Sequence, residues 1–316
     1  MRLVSPQSLR RAGVVGINQR NAHYISRANQ RHLYPLVDNK LLTKQLALDA
    51  GIAVPELFAT IENQGDVRRL RDIIGPHQQF VMKPAHGSGG DGIMVIGAVT
   101  EKGLRRHDGT FLSYSDAQYY ASTTLSGQYS LAGLPDKLMI EYRVLFDPLF
   151  EKIAFQGIPD IRVIVFYGYP VMAMVRLPTR ASDGKANLHQ GAIGVGIDLA
   201  TGITSTAVSG NEIVAEHPDT GHTIAGLEIP DWSAILQLAA RCYEITNLGY
   251  LGVDIVLDKS RGPLILELNA RPGLNIQIAN SCGLGKRLDA IEQLDHAPAD
   301  FQERVYWSRR HLTFGV

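Results

Sequence analysis

A strand running into a glycine-rich loop and out along a second strand, two later pairs of apolar strands closed by short turns, and helical spacing in only a few segments predict an α+β protein whose sheets are largely antiparallel. The elements follow in order. Residues 1–36 are basic and irregular and read as an arm or short helical prelude. In DNKLLTKQLALDAG, Leu41, Leu42, Leu46 and Leu48 recur at helical spacing and Gly51 stops the helix. IAVPELFAT reads as a strand and the stretch near Gly65–Gly75 as a polar helix; then QFVMKPA enters the loop HGSGGDG and leaves along IMVIGAV. Residues 97–135 give a hairpin around His107–Gly109 and a polar helical stretch near 115–131. After KLMIEYRV, DIRVIVFYG and VMAMVRL form a hairpin, followed by the polar loop TRASDGKANLHQG and two glycine-punctuated strands. A helix at 232–247, the hairpin LGVDIVLDKSRGPLILELNA, a helix near 283–294 and a polar tail with scattered aromatics complete the chain.

The 316 residues, 45% of them hydrophobic, suffice for one large domain or two to three lobes. Lys+Arg and Asp+Glu both number 31, so no global field draws the chain to nucleic acid or an anionic membrane. Cys242 and Cys282 stand in no metal or redox spacing and read as two buried thiols in a reducing compartment. No apolar run approaches the roughly 18 residues of a membrane span, so the expectation is a soluble, cytoplasmic protein.

Counting back from a loop at Lys259–Gly262 sets Asp258 against Pro263 and Asp254 against Glu267, with Asn269 on the face of Glu267. Opposed carboxylates about 4.5–5.5 Å apart at Cβ repel unless a cation lies between them, and an all-oxygen set on a rigid sheet suits Mg²⁺ shared with a nucleotide. A solvated hairpin face is the other reading. In the earlier hairpin, a Gly168–Pro170 turn sets Val163 against Val175 and Arg162 against Arg176. An anion between the two guanidinium groups removes their repulsion, and a transferring phosphoryl group is such an anion. Asp160 shares that face and could meet a ribose hydroxyl or a cation; two solvent-exposed arginines are the bland alternative.

Lys83 precedes a loop in which Gly87, Gly89, Gly90 and Gly92, with Ser88 among them, let backbone N–H groups approach phosphate. The loop matches neither GxxxxGK[ST] nor a dinucleotide fingerprint, so a hinged flap or a plain turn remains. Lys40 and Lys44 share a helical face within reach of a phosphate or of solvent. The polar loop with Lys185, Asn187, His189 and Gln190 could fold over a reacting phosphate, although a lone loop histidine is more often a surface residue.

In this order the motifs resemble the ATP-grasp superfamily, and most of all the RimK-like α-L-glutamate ligases, over about residues 37–295. The resemblance implies an ATP-grasp fold, two α+β lobes clasping ATP, with an N-lobe at 37–140, a C-lobe at 141–295 and a tail at 296–316. FVMKPAHGSGGDGI with Lys83, joined by Lys44, corresponds to the family's triphosphate-holding segment, and LMIEYRV with Glu141 and Tyr142 to its adenine and ribose strand. Asp160–Arg162, Ala173–Arg176 and Asn187–Gly191 match the D-x-R, A-x-x-R and N-l-h-x-G motifs, which implies catalytic roles for Arg162, Arg176 and Asn187 and nucleotide contacts for Asp160 and Lys185. Gly252–Ile255 and Glu267–Gly273 match the metal-bearing pair, assigning Asp254, Glu267 and Asn269 to magnesium, or manganese in its place.

Two features depart from the pattern. The α/β domain of about a hundred residues that usually precedes the family's D-K pair is not met before Asp38–Lys40, so a short Asn/Arg-rich arm, or a partner or second subunit, is expected to do its job. Arg271 stands where the glutamate ligases tend to carry a small residue and, with His189, is assigned to a substrate carboxylate. The implied activity joins a small-molecule carboxylate, glutamate or a relative, to an amine of a small molecule, peptide or protein. An ATP-grasp kinase, a nucleotide-binding regulator and a component active only in a complex stay open.

Overall fold

Every strand pairing among the described residues is antiparallel, as the hairpin spacing predicts. The structure, a computed structural model, describes residues 5–87, 89–130, 133–210, 212–294 and 300–313. The chain divides into two units: one takes in the residues up to Val37, Gln45–Ala53 and the chain from Leu145 onward, the other Asp38–Lys44 and Val54–Val144.

The second of these units is built on a sheet of β1 (Leu57–Ile61), β2 (Phe80–Pro84), β3 (Met94–Thr100), β4 (Gly103–Arg106), β5 (Phe111–Ser113) and β6 (Leu138–Tyr142), in the order β1-β6-β2-β3-β4-β5. Short helices at Gln64–Arg68 and Leu70–Ile74 and a longer one at Tyr114–Leu125 cover it. Ile61, Leu70, Phe80, Met82, Ile96, Leu104 and Leu138 are fully buried in their common core. The long helix starts where Ser113 and Asp116 close a capping box, which satisfies two of the N–H groups that a helix start leaves open.

The other unit carries β7 (Asp160–Phe166), β8 (Tyr169–Leu177), β9 (Ile193–Ile197), β10 (Thr204–Ser209), β11 (Glu212–Val214), β12 (Tyr250–Asp258) and β13 (Gly262–Asn269), in the order β11-β10-β9-β8-β7-β12-β13. Its central strands are buried on both faces, which explains why they read as near-continuous apolar runs rather than alternations. The helix Trp232–Thr246 packs on this sheet with Ile235, Leu236, Ala239 and Ala240 buried.

Three sequence expectations are corrected. The polar tail contains a helix, Phe301–His311, started by Asp300, whose side chain accepts from Gln302 N, and ended by Arg309, Arg310 and His311 where the helix dipole favours cations. It buries Val305 and sets Arg304 2.6 Å from Glu244. Cys282 is half-buried, whereas Cys242 is fully buried. The β7–β8 turn is not Gly168–Pro170 but the two residues Tyr167–Gly168, both in the left-handed region at φ 46° and 83°, as a tight hairpin with the twist of its strands requires.

One of the ties that hold the arm before Val37 is a buried side chain. Asn29 accepts from Tyr250 N and donates to Tyr250 O, each at 2.8 Å, and to Ala270 O at 3.1 Å. Asn29→Ala strips three buried backbone groups of their partner, so chemical denaturation is expected to show a loss of about 2–4 kcal/mol, against a few tenths for an exposed control such as Asn18→Ala.

Candidate active site

Charged residues sit on interior strand positions in both units, and sheet register decides which of them meet. In β7–β8 the tight turn and an extra residue near Val171 pair Arg162 with Met174 and Arg176 with Asp160, not Arg162 with Arg176 as the count predicts. The displacement is two residues, and an even displacement keeps each side chain on its face. Across β12, Arg162 pairs with Asp254 and Asp254 with Glu267, the partner that counting predicts. The counted loop is one residue off, since Asp258 pairs with Gly262, but an extra residue at Leu266 restores the register before Asp254. One row across three strands therefore reads Arg162, Asp254, Glu267.

The side chains close this row into a network. Arg162 donates through Nε and Nη2 to the two carboxylate oxygens of Asp254 at 2.7 and 2.6 Å. Arg176 donates through Nε and Nη2 to Asp160, both at 2.5 Å, and its Nη2 also reaches Asp254 at 2.8 Å. Asn269 Nδ2 donates to Asp254 at 3.2 Å. An anion does lie between the two guanidinium groups, and it is the Asp254 carboxylate. Burial pushes Asp254 up, but Arg162 and Arg176 outweigh it and hold the carboxyl well below its ordinary range. At Asp160 burial wins: Arg176 draws the carboxyl down, yet desolvation and the Asp254 charge leave it raised.

Asp254, Glu267 and Asn269 supply two carboxylates and one amide, an all-oxygen set that suits a hard divalent cation, with Asn269 placing its nitrogen on Asp254 and so leaving its oxygen for another partner. Among the described residues no group of three His, Cys, Asp or Glu side chains forms a cage, so such a cation would complete its shell with water and phosphate oxygens. Gly252, two residues before Asp254, admits Pro272 against the strand: a Cβ there would stand 2.6 Å from the Pro272 ring. The G-V-D-I and E-x-N-x-x-P-G segments thus fit each other only with glycine at 252.

In the other unit Glu141 is 2% exposed and holds two ammonium groups, Lys83 at 2.5 Å and Lys44 at 3.0 Å. Val81 pairs with Glu141, which puts Lys83 on the same face one diagonal step away. Lys44 also donates to Pro55 O. Burial raises the Glu141 carboxyl, and Lys83 followed by Lys44 more than reverses this; Lys44 itself is lowered by burial against the pull of Glu141. Sequence reasoning placed Glu141 on a nucleoside and Lys83 on phosphate separately, and missed that they form one ion-paired group. Two lysines converging on a fully buried strand glutamate is visible only once β2 and β6 are known to pair.

The glycine loop joins β2 to β3, strand to strand. Gly89, Gly90 and Gly92 all have positive φ, and at Gly92 a Cβ would meet the Tyr129 ring at 2.6 Å. Lys40 donates to Gly87 O, and His86 at the loop's start donates its backbone N–H to Asp136 and sets Nδ1 2.7 Å from the same carboxylate. Ser88 lies outside the described residues. Tyr142 follows Glu141 on β6, half-buried, with its N–H on Glu56 O at 2.8 Å.

Asn187 spends its side-chain oxygen on capping its own turn, accepting from His189 N at 3.1 Å, and is not hydrogen-bonded to Arg162 or Arg176. Lys185 is half-buried in the same loop. His189 is exposed, with Nε2 4.0 Å from where a Cβ on Gly273 would stand. Arg271 is exposed, its guanidinium 4.9 Å over the Tyr34 ring.

Glu141→Gln leaves two buried ammonium groups without their counter-charge, so a loss of about 3–5 kcal/mol is expected at pH 7 by chemical denaturation. Because the folded-state pKa of Glu141 lies below its ordinary value of 4.5, the contribution is complete above that pH and lost as pH falls further. The gap between wild type and variant should therefore hold from pH 7 to about 4.5 and shrink below it.

The sugar-transfer associated ATP-grasp family profile matches residues 19–293. Probable α-L-glutamate ligases from two strains of Xanthomonas oryzae pv. oryzae are 26% identical over 266 residues, 83% of this chain and 67% of theirs. The solved ATP-grasp ligase PsnB, complexed with a minimal precursor, is 14% identical with a TM-score of 0.45, covering 89% of this chain, which spans 63% of its length. D-alanine–D-alanine ligase from Bacillus anthracis is 13% identical with a TM-score of 0.45, covering 88% of this chain and 70% of its own. No helix among the described residues is long and apolar enough to cross a membrane. With the profile spanning most of its length, this chain belongs to the sugar-transfer associated ATP-grasp family.

Proposed function

We propose that the chain is an ATP-dependent carboxylate–amine ligase. A substrate carboxylate oxygen attacks the γ-phosphorus of ATP and ADP leaves; the amine nitrogen then attacks the acyl carbon, phosphate departs with the C–O bond pair, and the nitrogen loses a proton. The observation that carries this reading is the hydrogen-bonded network of Arg162, Arg176, Asp160 and Asp254, with Glu267 in register opposite Asp254, in which groups suited to phosphoryl charge are already paired with groups suited to a cation.

Arg162 and Arg176 disperse the charge of the transferring phosphoryl group, and Lys44 and Lys83, with the glycine loop, hold phosphate oxygens. Glu141, Tyr142 and Asp160 bear on the nucleoside, and Lys185 and Asn187 order the loop over the reacting end. Asp254, Glu267 and Asn269 would hold magnesium, or manganese in its place, which would supply positive charge to the phosphates. Arg271 and His189 bind a carboxylate group of one of the two substrates. No side-chain nucleophile is required, so positioning and electrostatics provide the acceleration. Glutamate as one of the two substrates is supported by the likeness to the Xanthomonas ligases.

The test is a phosphate-release screen with Mg-ATP against amino acids singly and in pairs, followed by mass analysis. The expected result is ATP-dependent phosphate and a product of the summed masses less one water; ADP with a phosphorylated product and no free phosphate contradicts it. Asp254→Asn, Glu267→Gln and Arg176→Lys should each lower turnover by about ten- to a thousand-fold, and chelation of divalent cations should abolish it.

A further inference from the structure

The arm before Val37 runs along the segment that follows the oxygen-ligand trio. Arg20 Nη1 donates to Pro272 O at 2.7 Å, and Gln277 accepts from Val15 N at 2.8 Å while donating to Val15 O at 3.0 Å. Gly285 N donates to Gly13 O at 2.8 Å, and Asn29 clamps Ala270. Tyr34 ends this run beneath the guanidinium of Arg271.

Arg271 differs from Arg162 and Arg176 in a way that bears on ligands. Those two spend their donors on Asp254 and Asp160, whereas Arg271 makes no hydrogen bond or ion pair among the described residues and is exposed. A guanidinium resting over an aromatic ring is attracted by the ring's face and keeps its N–H groups at its own edge, in the fork that matches a carboxylate. Asn269 lies two residues earlier, no more than about 7 Å along the chain. His189 Nε2 approaches Gly273, two residues later. Two basic side chains therefore flank the chain just past the oxygen ligands, and one of them is set by the arm.

We propose that Tyr34 is a positioning residue that presents Arg271 to the carboxylate of an amine substrate, so that the N-terminal arm forms the wall of an acceptor site for an amino acid or a peptide's carboxyl end. The proposal rests on the ligase reading of the same region and adds the recognised group and the arm that sets it. His189 supplies the second donor. Tyr34 acts through its π-face, so its hydroxyl is dispensable and its ring is not.

Titration calorimetry of the full chain with L-glutamate, without nucleotide, tests this independently of turnover. Wild type should bind saturably; Arg271→Gln should weaken binding about ten-fold or more, Tyr34→Leu about two- to five-fold, and Tyr34→Phe should keep wild-type affinity, with Mg-ATP-analogue affinity unchanged throughout. Melting curves show whether Tyr34→Leu keeps its fold, and Arg271→Gln, at an exposed position, decides the site if it does not. Absent glutamate binding, or equal affinity in wild type and Arg271→Gln, or equal affinity in folded Tyr34→Leu and Tyr34→Phe, overturns the proposal. Glutamate binding with these dependences but no phosphate release from any substrate pair sinks the ligase reading and leaves this site standing.

Discussion

A carboxylate that is 2% exposed and still ionised is the constraint around which the larger sheet is arranged. Asp254 sits mid-strand on β12 with apolar Val253 and Ile255 on the other face, where an unpaired charge would be several kcal/mol too costly to keep. Arg162 on the adjacent strand removes that cost with a two-pronged contact, Arg176 adds a third donor from one strand further, and Asn269 a fourth from the other side. Each partner is fixed by register, so the network exists only if β8, β7, β12 and β13 align as they do. Replacing such a pair by apolar residues is often neutral or stabilising, which makes stability a poor reason for its presence and points instead to what the charges can be exchanged for.

Exchange is the theme of both units. In each, cationic side chains are held by buried carboxylates: Arg162 and Arg176 by Asp254 and Asp160, Lys44 and Lys83 by Glu141. Under the proposed function, each guanidinium or ammonium group is held in place by a carboxylate until a phosphate or a cation takes the partner's place. The Asp160 carboxyl is raised chiefly by burial, with the Asp254 charge adding to it against the pull of Arg176.

How much of this was legible in the sequence follows from parity. Both hairpin turns were placed wrongly by count, by one residue in β12–β13 and by more in β7–β8, yet the face assignments survived. In β12–β13 an extra residue at Leu266 cancelled the error, and in β7–β8 the net displacement was even. What failed was the identity of the neighbour: Arg176 meets Asp160 because Tyr167 adopts a left-handed conformation that a tyrosine seldom announces. The Glu141 pairing with Lys83 needed β2 beside β6, two strands separated by more than fifty residues, and no local pattern carries that. The helix Phe301–His311 was missed because its apolar residues are few, although its Asp300 cap and basic last turn were there to be read.

The most direct measurement is a crystal structure with magnesium and a non-hydrolysable ATP analogue, read at Asp254. The account predicts magnesium bound by Asp254, Glu267 and Asn269, with the two-pronged contact from Arg162 to Asp254 opened and the guanidinium turned to phosphate. Nucleotide bound with that contact intact and no metal on Glu267 would contradict it.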